Sequence, residues 1–157
     1  MGLPWDEGWN IPFDAPYYPP LPVVYRNVEF QHVFFEADPA AVARLLPEPL
    51  VAAPDGACSV VGIRVPFSSG YGAFAEVAVQ LKCSLRGEVG WYCSHVWHDG
   101  PRGISAGREV WGTPKVFADL DVRHVEGGYL SRASVSGAPI VTISSTHDRA
   151  AEVSELP

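Results

Sequence analysis

Apolar and polar residues alternate along most of the chain after residue 56, and this pattern predicts β-strands. The predicted strands cover residues 57–66, 72–83, 90–98, 117–124, 129–136 and 140–145. Clusters of Gly, Pro, Asp and Ser separate them at intervals typical of antiparallel sheets. Glu126, Gly127 and Gly128 join two of these strands, 117–124 and 129–136, and predict a β-hairpin.

The first 47 residues have a different pattern. Residues 1–22 are too rich in proline for a helix and too aromatic for a plain disordered tail, which predicts an extended arm lying on another surface, such as a neighbouring subunit. Residues 23–36 read as a strand. A short helix is predicted over 38–46, because Asp38 suits the N-cap, Pro39 suits the first helical position and Pro47 ends it. The predicted organisation is therefore an arm, 1–22, and a β domain, 23–157.

Composition places the chain in a broad class. Its 157 residues are the size of one domain, and a hydrophobic content of 47% is enough for a core. The 18% of charged residues is low for a globular surface, which favours a homo-oligomer. A net charge of −7 disfavours nucleic acid and anionic membranes as partners.

Targeting features and cysteines indicate the compartment. No apolar run reaches the roughly 18 residues of a membrane-spanning helix. The N-terminus has neither the basic nor the apolar region of a signal peptide. Cys58, Cys83 and Cys93 are odd in number and lack the spacing of metal ligands, so we expect reduced thiols in a cytoplasmic protein.

Lysine usage is the most informative chemical feature. The chain has only two lysines, Lys82 and Lys115, and the second follows a turn-forming stretch over 107–114. An ordinary lysine has a pKa of about 10.4 and is almost fully protonated at pH 7, so amine chemistry requires burial or a second cation nearby. Apolar neighbours such as Trp111 and Phe117 could bury Lys115, and Val116 supplies no adjacent cation. Composition alone favours the alternative, in which Lys115 runs along the surface before a strand.

Other polar residues are weaker candidates. Glu76 interrupts an apolar run, so it faces either water or a pocket. Arg108 and Glu109 are more often a structural ion pair than a catalytic one. His95 and His98 fall on opposite faces of a predicted strand, and we expect them to be satisfied histidines rather than metal ligands.

The chain resembles the acetoacetate decarboxylase family from about residue 25 to residue 148. The resemblance includes the segment 45–50, Leu-Leu-Pro-Glu-Pro-Leu, and the Ser-Gly-Tyr-Gly of 69–72, which is followed by Glu76. It is strongest at Gly107-Arg108-Glu109, with Gly112, Pro114 and Lys115 following at the family's spacing.

This resemblance implies a mainly β (α+β) fold, an antiparallel β-barrel or cone with few short helices, assembled into oligomers. It implies a lyase in which Lys115 forms a Schiff base (imine) with a small oxo acid, with no metal and no organic cofactor. Glu76 matches an active-site carboxylate of the family. The predicted substrate-binding residues are Arg26, Arg108 and Glu109. Arg108 and Glu109 would brace the loop, and Arg26 is a weaker candidate for binding the substrate carboxylate.

The chain also departs from the family. Val116 replaces a second lysine, Val61 replaces a glutamate, and Val28 replaces an arginine, with Arg26 two residues away on the expected same side. The resemblance further implies that the family's C-terminal part is missing, so that the chain is a fragment, is completed by a partner chain, or is a degenerate member. The expected function is a carbon–carbon lyase of decarboxylase or aldolase-dehydratase type. The alternative is a non-catalytic ligand-binding or structural member of the same fold.

Overall fold

The computed structural model describes residues 17–146 and 149–150. Strands dominate, with two short helices among them. The strands are β1 (Tyr25–Arg26), β2 (Glu29–Glu36), β3 (Val51–Ala52), β4 (Ala57–Val65), β5 (Phe67–Ser68), β6 (Phe74–Leu85), β7 (Glu88–His98), β8 (Lys115–Phe117), β9 (Asp119–Val125), β10 (Gly128–Val135) and β11 (Ala138–Thr146). The helices are α1 (Pro39–Leu45) and α2 (Pro101–Glu109). The mainly β class is therefore confirmed.

Three sheets make up the described part of the chain. The largest has six strands, in which β2, β4, β6, β7 and β8 follow one another and β3 pairs with β6. A second sheet has the order β11-β10-β9, and β1 pairs with β5 in a third. Every pairing is antiparallel except that of β7 with β8, which is parallel. The described strands do not close into the predicted barrel or cone, because the six-stranded sheet ends at β2 on one side and β8 on the other.

Strand alternation gives the six-stranded sheet two different faces. Ala75 and Val77 of β6 point to one face, where they pack in a core with Trp97, Ala118 and Tyr129, so this face is covered by the three-stranded sheet. The opposite face holds a smaller apolar cluster of Val61, Ala78 and Val96. Phe74 and Glu76 share that second face, as the sequence predicts.

Helix α1 begins with the N-cap and first-turn residues that the sequence predicts. The carboxylate of Asp38 accepts a hydrogen bond from the Ala40 N–H at 3.0 Å, and Pro39 occupies the first turn. Val42 packs under the helix with Cys58 and Leu81. The predicted helix and its N-cap are confirmed.

Two predicted strands are interrupted. The segment 23–36 breaks into β1 and β2 because Asn27 takes a positive φ of 54° and leaves the strand path. The segment 117–124 breaks at Ala118, so that β8 joins the large sheet and β9 the small one. The predicted hairpin between β9 and β10 is confirmed, with Glu126 and Gly127 in its turn.

Helix α2 was not predicted, since three glycines lie at its start and within it and the stretch before Lys115 read as a turn. Pro101 in the first turn favours its start, and the following residues up to Glu109 are helical. The connection from β7 through α2 to the parallel strand β8 is the usual way to join parallel neighbours.

The predicted N-terminal arm, 1–22, falls mostly on residues 1–16, which lie outside the described residues. Tyr18 is described and is 5% exposed. Burial first, and then the negative charge of Glu109, raise the pKa of its hydroxyl.

No helix in the described ranges is long and apolar enough to cross a bilayer.

A polar cluster joins the two larger sheets. Tyr129 of β10 donates its hydroxyl to a carboxylate oxygen of Glu29 of β2 at 2.7 Å, and Arg64 pairs with the other oxygen at 3.1 Å. Gln31 accepts a hydrogen bond from the Ser131 hydroxyl at 2.7 Å and donates to the Tyr129 carbonyl at 3.0 Å. These contacts fix the register between the sheets, because each buried polar group finds its partner across the interface.

Candidate active site

Lys115 and Glu76 lie side by side in the structure. Lys115 opens β8, which pairs in parallel with β7, and Glu76 lies in β6 on the other side of β7. The Lys115 Nζ is 2.5 Å from a carboxylate oxygen of Glu76, and their side chains are only 17% and 15% exposed. Two residues that are 39 positions apart in the sequence therefore form a largely buried ion pair.

This pair faces an apolar pocket with a volume of about 250 Å³. The other described lining residues are Tyr25, Val28, Phe30, Ile63, Val65 and Phe74. Within the described residues, Lys115 and Glu76 are the charged groups of this lining. The pocket therefore combines one amine, one carboxylate and an apolar wall.

Helix α2 covers the stem of Lys115. A Cβ atom added at Gly107 would lie 2.4 Å from the Lys115 Cδ and 2.5 Å from its Cε, so only glycine allows this approach. The Thr113 hydroxyl donates to the Gly107 carbonyl at 2.8 Å and fastens the loop after the helix. The glycine that made the stretch look like a turn is thus the residue against which the lysine packs.

His98 lies beside this pair and was missed as a site residue. It is opposite Glu76 in the β6–β7 register, is 1% exposed and stacks on Phe74 with ring centroids 4.7 Å apart. The Gly100 N–H donates to its Nδ1 at 2.8 Å, so Nδ1 is unprotonated and the neutral ring carries its proton on Nε2. Burial first, and then the positive charge of Lys115, lower the pKa of His98 to about 4.

The three predicted substrate-binding residues lie around the pocket rather than in its described lining. Arg108 donates to the Lys115 carbonyl oxygen at 3.1 Å and so supports the backbone of β8. Glu109 lies near Tyr18. The Arg26 guanidinium lies 5.4 Å from the centroid of the Phe67 ring, and Val28 lines the pocket instead. The break at Asn27 separates Arg26 from the strand path of Val28, so alternation does not place them on the same side.

Two residues noted in the sequence have clear positions. Val61 is buried with Ala78 and Val96 in the apolar cluster that continues from the pocket along the same face. Val116 is about half exposed and lies opposite Trp97, on the other side of β8 from Lys115. Tyr25, which the sequence did not single out, lies at the pocket, and burial first and then neighbouring Tyr71 and Glu76 raise the pKa of its hydroxyl.

The geometry allows one particular proton transfer. A carboxylate neighbour stabilises the ammonium form of an amine, whereas burial disfavours both charged groups. Glu76 touches the Lys115 ammonium, so it is placed to accept a proton from Nζ and leave a neutral amine facing the pocket. The pair can then provide a nucleophile and an acid in contact.

Fold and site together place the chain among mainly β proteins that hold a largely buried lysine–glutamate pair at an apolar pocket. Comparison with known proteins identifies the family. The family model for acetoacetate decarboxylase (ADC) matches residues 10–156, and the chain belongs to this family.

Relatives by sequence agree with that assignment. The chain is 35% identical over 109 residues to an acetoacetate decarboxylase of Chromobacterium violaceum, a match that covers 69% of this chain and 44% of the relative. It is 33% identical over 110 residues to acetoacetate decarboxylase 1 of Bradyrhizobium diazoefficiens, covering 70% of this chain and 44% of that protein. The chain therefore spans about half the length of the curated relatives it matches.

Solved structures show the same fold. An acetoacetate decarboxylase from Legionella pneumophila superposes with a TM-score of 0.82 at 23% identity, covering 99% of this chain and 64% of that one. The enduracididine biosynthesis enzyme MppR, complexed with the condensation product of pyruvate and imidazole 4-carboxaldehyde, superposes with a TM-score of 0.77 at 24% identity. That match covers 90% of this chain and 63% of MppR.

Proposed function

We propose that this protein is an imine-forming carbon–carbon lyase acting on small oxo acids. The observation that carries the proposal is the contact between Lys115 and Glu76 at an apolar pocket of about 250 Å³. Such a volume suits a molecule of a few heavy atoms. Family membership supports a reaction of the decarboxylase or aldolase-dehydratase type.

The proposed reaction begins with the amine. Glu76 accepts a proton from Lys115, and the free amine attacks the ketone carbon of the substrate to form a carbinolamine. Loss of water gives an iminium ion, whose positive charge is stabilised by the Glu76 carboxylate once that group has returned its proton to the departing hydroxyl. The iminium then accepts the electron pair of the breaking carbon–carbon bond as an enamine, and protonation and hydrolysis release the product and the amine.

The apolar wall contributes in two ways. Side chains such as Val28 and Phe74 shield the pair from water, which strengthens the interaction of Glu76 with the iminium ion. The apolar side chains also solvate the substrate carboxylate poorly. Loss of CO2 removes this poorly solvated anion, which favours decarboxylation. Arg108 acts indirectly in this proposal, because its hydrogen bond to the Lys115 carbonyl holds the start of β8.

Reductive trapping tests the proposal. The protein is treated with borohydride in the presence of pyruvate or acetoacetate, and peptide mass spectrometry locates any adduct. We expect an adduct on Lys115 and none on Lys82, which pairs with Asp55 at 3.2 Å, lies outside the pocket lining and serves as an internal control. Lys115→Arg and Lys82→Arg form a matched pair of variants. Absence of an adduct on Lys115 with both ketones would overturn the proposal.

Release of CO2 from acetoacetate separates the two reaction types within the proposal. Trapping together with CO2 release indicates a decarboxylase. Trapping with pyruvate and no CO2 release indicates aldolase-dehydratase chemistry.

The second candidate is a ligand-binding member that performs no reaction. The close ion pair favours it, because a contacting carboxylate stabilises the ammonium form of an amine, and an ammonium does not attack a carbonyl. Val61 and Val116, in place of charged groups that the family resemblance leads us to expect, point the same way. A Lys115→Ala protein that binds pyruvate as tightly as wild type, measured by calorimetry, would support this candidate over the lyase.

A homo-oligomer is part of the proposal. The edge strand β2 carries Phe30 and Phe34, which are 66% and 42% exposed. Apolar exposure of this kind is typical of surfaces that meet a partner. Sedimentation velocity measures the assembly, and a monomer across the micromolar range would contradict this part.

A further inference from the structure

The imidazole of His98 touches three separate parts of the site. Its ring stacks on Phe74 of β6, and its Nδ1 accepts the N–H of Gly100, the residue that precedes α2. A Cβ added at Gly103 of α2 would lie 2.3 Å from its Nε2. The ring is therefore packed between the large sheet and the helix, with no room for a side chain at the helix face above it.

The same helix face covers the lysine. Gly103 and Gly107 are one turn apart, so they lie on the same side of α2. The first packs on His98 and the second on the Lys115 stem. The thickness of the imidazole therefore sets the distance between α2 and the sheet, and this distance decides where Gly107 presses on the Lys115 side chain.

We propose that His98 is a positioning residue, a neutral imidazole that seats α2 on the sheet and thereby holds Lys115 against Glu76. This goes beyond the proposed function, and only its imine readout depends on that function. The ring acts through the helix rather than on a substrate.

A histidine is suited to this position because it combines a flat ring with a hydrogen-bond acceptor. Gly100 is the N-cap of α2 and has no side chain to cap the helix, and its own N–H donates to the His98 Nδ1. A partly buried N–H that is left without an acceptor destabilises the fold. An aliphatic residue could fill the space but would leave this donor unpaired.

The charged groups around the ring favour its neutral form. The Lys115 ammonium faces it from β8, while Glu76 lies opposite it on β6 and is already paired with that ammonium. The Asp99 carboxylate oxygen is 3.8 Å from Nδ1, beyond hydrogen-bond distance, and accepts instead from the Ala75 N–H at 3.0 Å. Protonation of Nδ1 would break the hydrogen bond that it accepts from the Gly100 N–H. The packing of α2 on His98 therefore requires the Nε2–H tautomer.

Two variants of His98 separate the role of its hydrogen-bond acceptor from the role of its side-chain volume. His98→Asn keeps an acceptor near the Nδ1 position, and His98→Leu keeps apolar volume without an acceptor. His95→Leu is the matched control, because His95 lies on the same strand and is exposed. Competitive acetylation with acetic anhydride, read by mass spectrometry, gives the reactivity of Lys115 relative to Lys82 in one protein.

The Lys115 side chain is 17% exposed and that of Lys82 is 35% exposed, so we expect acetic anhydride to reach Lys115 more slowly in wild type. In His98→Leu the rate at Lys115 should approach that at Lys82. Reductive trapping on Lys115 should fall by roughly 10- to 100-fold in His98→Leu, the loss typical of a misplacement of about 1 Å. His98→Asn should retain more than His98→Leu in both assays. Unchanged Lys115 reactivity in a folded His98→Leu protein would overturn the proposal.

One measurement needs no variant. Two-bond ¹H–¹⁵N correlation spectra of wild type distinguish the two neutral histidine tautomers and the imidazolium. The Nε2–H tautomer of His98 at pH 7 supports the proposal, and the Nδ1–H tautomer or an imidazolium refutes it even if His98→Leu fails to fold. A wild-type protein that forms no imine would refute the proposed function alone, because the acetylation and tautomer results do not depend on a substrate.

Discussion

Replacement of Gly107 by alanine separates stability from chemistry at this site. The new Cβ would lie 2.4 Å from the Lys115 Cδ, 2.5 Å from its Cε and 2.9 Å from the Thr113 hydroxyl oxygen. Atoms cannot remain at such distances. The nearest atoms belong to a flexible side chain, so the lysine can swing away while the helix backbone stays in place.

The expected change in stability is small because two effects oppose each other. Alanine is favoured over glycine in a helix by up to about 1 kcal/mol. Overpacking typically costs about 1–3 kcal/mol, and the lower end applies where a flexible side chain yields. We therefore expect Gly107→Ala to change the free energy of unfolding by no more than about 2 kcal/mol.

The expected change in reactivity is large. Once the lysine stem moves, Nζ leaves Glu76 and loses its position in the pocket, and imine trapping should fall by roughly 10- to 100-fold. Urea denaturation measures the stability, and borohydride trapping with pyruvate measures the reactivity. Gly90→Ala is the control, because no heavy atom beyond its chain neighbours lies within 4 Å of the added Cβ. A Gly107→Ala protein that traps ketone at the wild-type rate would refute the packing argument.

Three further predictions concern stability, measured by urea denaturation. The His98 pKa in the folded protein is about 4 against an ordinary 6.5, so stability from its neutral form is present above pH 6.5 and is lost as the pH falls to about 4. The unfolding free energy of wild type relative to His98→Asn should thus drop by on the order of 3 kcal/mol over this range, and a constant difference would contradict the burial of a neutral ring. Tyr129→Phe should cost about 1–3 kcal/mol at pH 7, since it removes a hydrogen bond to a carboxylate. The Tyr129 hydroxyl is the main cause that lowers the pKa of Glu29, so this cost should shrink as the pH falls below 4.5, and a cost independent of pH would argue against the contact. Asp38→Ala should cost about 0.5–2 kcal/mol through the lost cap of α1, whereas no loss would show that the cap contributes nothing.

Most of the fold could be predicted from local patterns. The strands β4, β6, β7, β10 and β11 follow from alternation, and α1 follows from Asp38 and Pro39, because each depends on residues close together in sequence. Helix α2 could not be predicted in this way. Its glycines lower helix propensity, and their reason for being there is the close approach of His98 and Lys115, which only the folded chain reveals.

The same distinction between local patterns and contacts made by folding applies to the candidate site. Lys115 stood out because lysine is rare in this chain, and Glu76 because it interrupts an apolar strand. The contact between them depends on the parallel pairing of β7 and β8, which no local pattern encodes. His98 gave no sign in the sequence, since a histidine at a strand end is common and its importance comes from what packs on both sides of its ring.

The lysine–glutamate pair and most of the pocket wall come from different stretches of the chain. Lys115, Glu76 and His98 lie within the continuous segment 74–117, as does Phe74 of the wall. The other wall residues lie before residue 66, and they are Tyr25, Val28, Phe30, Ile63 and Val65. Mutations accumulating in the early strands can therefore reshape what fits the pocket without disturbing the amine or its carboxylate. Divergence of ligand preference among descendants of such a protein should be concentrated before residue 66, while the later segment is inherited as one block.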